Sequence, residues 1–338
     1  MNEQIVCVQQ LNLFSKEWEI VCAKLGDDWS SVAAHDGEMQ VQTPGPENPK
    51  PQTPNPKSSN QKRSDPISRQ MSCGAMSGLA IFSRFPIKSV ELIELFDSKV
   101  GMEDVHRRAA MCCEVILAQD ATVNLVNVCF DEVYERFRTS QLQQLRSKIR
   151  KQVPSFEERG YILVGAVNGL RRDDYSDGAW DGIKYERRRQ KDVGGICEQP
   201  CGDFMDNLLR GDAGYTDCRE AAGYKNLFED GAMVESTGRH MLRTDYILLS
   251  PGLQWAPPAH GYDVLPPPQH THFCHHLVIA ELRRRPQEEK GAATLRGVAP
   301  SGGRRVEEVP LGFGAVTAST VRSGGLAPGR SATTTKRW

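Results

Sequence analysis

Apolar positions along the chain fall into short blocks. Residues 3–11 alternate and then run apolar through Ile5, Val6, Val8 and Leu11, as a buried strand does. Trp18, Ile20, Val21 and Leu25 follow at helical spacing, and Gly26 supplies the stop. Blocks rich in Val, Ile, Leu or Tyr predict strands at 79–83, 111–118, 123–129, 161–165, 245–249 and 277–282. Within 138–152, Leu142, Leu145 and Ile149 form one apolar stripe with Arg and Lys opposite, which predicts a helix. Strands mixed with helices and long loops predict an α+β domain.

Two stretches break this pattern. From Val32 to Met71 prolines are frequent and little can be buried, so 32–71 is expected to be a disordered insert, with a flexible linker as its reading. Beyond Leu282 the chain turns to Gly, Ala, Ser, Thr and Arg, and 283–338 is expected to be a disordered basic tail. The remainder divides into an opening strand and helix at 1–31 and the main domain at 72–282.

Composition adds bounds. A chain of 338 residues can bury a full core. Its 42 basic and 43 acidic residues nearly cancel, so no global field draws it to nucleic acid or an anionic membrane. No apolar run of about 18 residues and no secretory leader pattern is present, which reads as an intracellular protein, cytoplasmic or nuclear. Of the 10 cysteines, Cys7, Cys112 and Cys113 sit in strand-like runs and are expected to be buried reduced thiols. Cys197, Cys201 and Cys218 lack a fourth ligand at a zinc spacing.

Five segments in order resemble the signature stretches of the metal-dependent endonuclease/exonuclease/phosphatase (deoxyribonuclease-I-like) family. GLAIFSRFPI (78–87) is similar to its Ser, Arg, x, Pro, Ile strand. HRRAAMCCEVIL (106–117) with VNLVNVCFDEVYERFRTSQL (123–142) resembles the two strands that end in a His and lead to an Arg, x, x, Gln, Leu helix. YILVGAVNGLRRDDYS (161–176) resembles the strand ending in Gly, Asp, x, Asn, and RTDYILLSP (243–251) the Arg, x, Asp, Tyr, Ile strand. HFCHHLVIAEL (272–282) resembles the closing Ser, Asp, His strand, and VCVQQL (6–11) is a weaker match to the Leu, Gln, Glu motif. The resemblance implies a four-layer α/β/β/α sandwich of two mixed sheets. The family's first strand, carrying an Asn near the metal, would precede Met1. Its hairpin between the opening helix and Gly78 would be replaced by the proline-rich insert.

The resemblance also implies in-line attack of water on phosphorus, with Mg²⁺ held by a glutamate, an Asp/His pair activating the water, and an Asn and a second His holding phosphoryl oxygens. Carried over residue by residue, much of this set is replaced. The metal glutamate falls on Gln10, the strand-end His on Cys129, the Asp of Gly, Asp, x, Asn on Ala166, and the Asp of Ser, Asp, His on Cys274. Asn168, Asp245 and His275 are retained, with Asp131 and Arg138 in supporting positions. Asn168 and Arg138 are the phosphate-binding candidates, and Asp131 a substitute metal ligand.

Other features carry blander readings. His270, His272, Cys274 and His276 alternate and, with Cys129, could form a soft site for zinc or copper; a surface loop is the favoured reading. YERRRQK (185–191) could meet a nucleic-acid backbone, but acidic neighbours favour a solvated loop. Two functional readings stand: a family member with impaired catalysis and a remnant pocket for a phosphate-bearing ligand, needing no cofactor, or an active Mg²⁺-dependent phosphodiesterase, nuclease or phosphatase using substitute carboxylates. A misread gene boundary is a third reading of the ends.

Overall fold

The computed structural model describes residues 5–9, 25, 28–35, 38–42, 78–95, 108–118, 121–192, 199–224, 242–265, 277–284 and 316–320. In chain order the strands are β1 (Ile5–Gln9), β2 (Ser30–His35), β3 (Glu38–Gln42), β4 (Leu79–Ser83), β5 (Ile87–Leu95), β6 (Arg108–Ala118), β7 (Ala121–Cys129), β8 (Ile162–Ala166), β9 (Thr216–Asp217), β10 (Asp245–Leu249), β11 (Trp255–Ala256), β12 (Tyr262–Leu265), β13 (Leu277–Ala280), β14 (Arg283–Arg284) and β15 (Val316–Thr320). The helices are α1 (Glu135–Gln152), α2 (Pro154–Arg159), α3 (Asp177–Asp192), α4 (Asp203–Leu209) and α5 (Cys218–Ala221). Two mixed sheets dominate this α+β fold, one ordered β12-β13-β15-β1-β4-β2-β3 and the other β5-β6-β7-β8-β10-β9.

The sheets meet through a shared core. Ile5, Cys7, Val32 and Ile81 of the first interleave with Met111, Cys113, Leu125, Val164 and Ile247 of the second. Strand periodicity explains the choice, because alternate residues share a face. The other face of the second sheet, with Cys112, Val126 and Leu163, is covered by Leu142, Leu145 and Ile149 of α1, by Phe156 of α2 and by Phe204 and Leu208 of α4. The stripe read from the sequence is therefore the buried side of α1. Glu135 in its first turn and Lys151 in its last complement the helix dipole. Across the first sheet, Leu25 and Trp29 pack against Val8, Ala33 and Phe82. Three layers are thus described; the opening helix that would complete the fourth, apart from Leu25, lies outside the described residues.

The predicted strands are found within a few residues of their expected limits. Three expectations need correction. The hairpin taken as replaced is present as β2 and β3, paired Ser31 to Gln42 through His35 to Glu38, so the insert begins later than Val32. Residues 283–338 are not wholly a tail, because β15 lies between β1 and β13, parallel to the former and antiparallel to the latter. Composition missed it because β15 carries a single large apolar residue, and pairing on both sides does what burial alone would not. YERRRQK, read as a loop, is the second half of α3, whose Trp180 and Ile183 pack on Leu170, Tyr175 and Leu242.

Cys7, Cys112 and Cys113 are free and buried. Burial raises all three thiol pKa values, that of Cys113 to about 12. No helix among the described residues is long and apolar enough to cross a membrane.

Candidate active site

Strand register assembles the site. Cys129 at the end of β7 pairs with Ala166 at the end of β8, and Ala166 pairs in turn with Asp245 at the start of β10. These three residues stand in one row across adjacent strands, about 4.8 Å apart from strand to strand. All three are fully buried. Cys129 and Ala166 belong to the core between the sheets, and Asp245 shares the face of Ile247, two residues on.

The close approach of β7 and β8 depends on Gly165. At φ 134° its backbone runs so near β7 that a Cβ would lie 2.1 Å from the Val128 carbonyl oxygen, which no side chain could tolerate.

Asn168 closes the row. It adopts a left-handed conformation at φ 56°, which Asn tolerates better than most residues. Its Nδ2 donates to the Phe130 carbonyl at 2.8 Å, and its backbone N–H donates to the Thr244 carbonyl at 3.0 Å. One residue thus ties together the ends of β7, β8 and β10. Asp245 accepts a hydrogen bond from the Thr244 hydroxyl at 2.9 Å.

Two supporting residues have structural duties. Asp131 Oδ1 accepts from the backbone N–H groups of Val133 at 2.8 Å and Tyr134 at 2.6 Å, forming the turn that starts α1. Arg138 is buried: it donates to the Asp131 carbonyl at 3.0 Å, pairs with Glu135 at 3.8 Å and lies over the Phe204 ring. Its guanidinium holds the turn from within. Gln10, Cys274 and His275 lie outside the described residues, as do His270, His272, His276 and Cys197. Cys201 is exposed whereas Cys218 is buried.

Three features went unread in the sequence. Gln9, fully buried on β1, donates from Nε2 to Asn127 Oδ1 at 2.5 Å, and Asn127 donates to the carbonyls of Val8 and Ala80 at 3.0 Å each. This pair staples the two sheets just below the row. Arg108, at the start of β6, reaches Cys129 Sγ with Nη1 at 3.7 Å. The arginine opening a strand of HRRAAMCCEVIL was the available signal.

Behind the row lies an ion cluster. Arg243 grips Asp217 through Nη1 and Nη2 at 2.7 and 2.8 Å and meets Asp174 at 3.2 Å. All three side chains are essentially inaccessible, and the guanidinium lies over the Tyr246 ring. Burial opposes its charge, but Asp217 and Asp174 prevail and hold its pKa well above the ordinary arginine value.

Among the described residues the donors do not suit a hard divalent cation. Mg²⁺ asks for oxygen ligands in octahedral array. The row offers one carboxylate, Asp245, beside a thiol and a methyl group, while Asp131 Oδ1 already serves the turn. Among the described residues no group of three or more His, Cys, Asp or Glu side chains is placed to hold a metal.

No family model matches the chain, and no curated protein does. Three solved structures similar to it are an endonuclease/exonuclease/phosphatase from Bacteroides vulgatus, a 3'-5' exonuclease from Neisseria meningitidis and a mannosyl-6-phosphatase from Bacteroides thetaiotaomicron. The first is 17% identical, with TM-score 0.41, covering 62% of this chain and 71% of that one. The second is 16% identical, with TM-score 0.40, covering 81% and 87%. The third is 14% identical, with TM-score 0.35, covering 61% and 71%.

Proposed function

We propose that the chain is a divergent member of the endonuclease/exonuclease/phosphatase family that retains a pocket for a phosphoryl group and has lost efficient hydrolysis. One observation carries this reading: Cys129, Ala166 and Asp245 share a register row closed by Asn168, so positions matched by sequence motif alone also meet in space.

The chemistry follows from what stands in the row. A methyl at 166 accepts no proton and holds no cation, and Cys129 offers a soft thiol where the resemblance puts an imidazole. Removing one well-placed electrostatic group typically costs about a hundredfold to a thousandfold in rate, and coupled losses do not simply multiply. Asn168 is retained at the end of the row, beside which this reading places a phosphate-bearing ligand, whether nucleic acid or phosphorylated small molecule.

The test uses the full-length protein with Mg²⁺ on generic phosphomonoesters and phosphodiesters. No turnover above the His275→Ala control is expected. Turnover that His275→Ala abolishes would instead establish the active Mg²⁺-dependent alternative, with Asp245 as the carboxylate on which it would rely.

A further inference from the structure

We infer that Arg108 is the phosphate-anchoring cation of this pocket and stands in for a divalent metal, an inference that rests on the pocket proposed above. A phosphoryl group brings one or two negative charges to a row whose only charged member so far is itself an anion, Asp245. The Asn168 amide is spent on the Phe130 carbonyl, so a cation is required. Among the described residues the donor set does not suit Mg²⁺.

The neighbouring arginines are already engaged. Arg138 holds the turn before α1, Arg171 pairs with Glu220 and Asp173, and Arg243 with Asp217 and Asp174. Among the described residues no carboxylate pairs with Arg108.

The local geometry suits the role. The guanidinium rests on Cys129 Sγ at 3.7 Å, a long contact to a weak acceptor. Its Nε is buried and has no hydrogen-bond partner among the described residues. The residue as a whole is half-buried, which reduces the screening of an ion pair while leaving a route to the charge. A guanidinium matches a phosphate through two parallel N–H donors. A thiol at 129, smaller than an imidazole, leaves room for the arginine to lean on the row. Arg108 and Asn168 flank one short segment, the first touching Cys129 and the second the Phe130 carbonyl, which places the guanidinium at the same end of the row as Asn168.

Calorimetric titration of the full chain with inorganic phosphate in EDTA tests this. Wild type is expected to bind, Arg108→Ala to weaken binding at least tenfold, and Arg108→Lys, which keeps the charge but loses the fork, to fall between. Asn168→Ala provides an independent check of the pocket. If Asn168→Ala weakens binding while Arg108→Ala does not, the inference fails and the pocket stands. If wild type binds phosphate only when Mg²⁺ is supplied, the metal carries the charge and the inference also fails. No binding under either condition sinks both readings. Should Arg108→Ala not fold, Arg108→Lys decides: weakened binding with an unchanged melting temperature supports the role, and wild-type affinity overturns it. Adenosine 5'-monophosphate and a thymidine dinucleotide, titrated alongside, separate a terminal phosphate from a bridging one. A dependence on Arg108 is expected for whichever binds, and its absence for both overturns the inference.

Discussion

The six-stranded sheet takes every strand from between Ile87 and Leu249, whereas the seven-stranded sheet gathers strands from 5–9, 30–42, 79–83, 262–280 and 316–320. Both sheets bury one face in the same core. The first can form largely from hairpins and one helical crossover, since β5, β6 and β7 are consecutive antiparallel neighbours and β7 joins β8 through α1 and α2. The second must bring together segments hundreds of residues apart, at a higher cost in loop closure. Its integrity therefore depends on pieces that look dispensable in the sequence.

The largest expected effect comes from removing such a piece. β15 pairs with β1 over five positions and with β13 over three, so a chain ending at residue 300 leaves two edges open in mid-sheet. Unpaired edges with buried side chains promote aggregation. Loss of cooperative melting, or conversion to aggregates on size exclusion, is expected. A truncated chain that stays monomeric and melts within about 2 °C of full length, less than roughly 1 kcal/mol in a domain of this size, would remove the distinction between the sheets.

A smaller effect is expected where the six-stranded sheet relies on charge. Arg243→Met leaves Asp217 and Asp174 buried without their cation, a loss of about 3–5 kcal/mol. That corresponds to a fall in melting temperature of roughly 10 °C. Asp217 also caps α5 by accepting from the Arg219 N–H at 3.0 Å, so the cluster anchors the segments before and after it. The double variant Arg243→Met with Asp217→Asn should recover part of the loss, because it removes one uncompensated charge. If the single variant melts like wild type, the cluster is ornamental to the sheet.

The same contrast explains what could be read in advance. Strands of the six-stranded sheet carry their own signal: VNLVNVC, YILVG and DYILL are apolar enough to be recognised alone. α1 likewise announces its buried side through Leu142, Leu145 and Ile149. β2, with SSVAAH, and β15, with VTAST, hold small and hydroxyl residues whose strand state comes from their partners, so no local pattern marks them. In the candidate site, the row of Cys129, Ala166 and Asp245 follows from strand ends that the motifs had fixed. Asp131 and Arg138 were assigned by motif position, but the direction of a side chain depends on the packing of α1 against the turn. Arg108 escaped notice because its relation to Cys129 is a neighbour-strand contact between residues 21 apart.

The smallest effect sharpens the comparison at a single carboxylate on the outer face of the six-stranded sheet. Glu114 accepts from Lys88 Nζ at 3.2 Å and from Arg159 Nη1 at 2.8 Å, joining β6 to β5 and to α2. Arg159 also donates to Thr122 Oγ1 at 2.8 Å, which extends the link to β7. Burial alone would raise the carboxyl pKa, but the hydrogen bonds and charges of Arg159 and Lys88 outweigh it and hold the value below the ordinary 4.5. A depressed folded-state pKa stabilises the fold above the unfolded value and loses that stabilisation as pH falls through the folded one. Because Lys88 and Arg159 are about half exposed, solvent screening limits the contribution to roughly 0.2–1 kcal/mol. Glu114→Gln should therefore melt slightly below wild type at pH 7, with the gap closing as the pH falls below about 4.5 and the wild-type carboxylate takes up its proton. A gap that stays constant from pH 7 to about 3 would mean that Glu114 contributes through packing and not through charge.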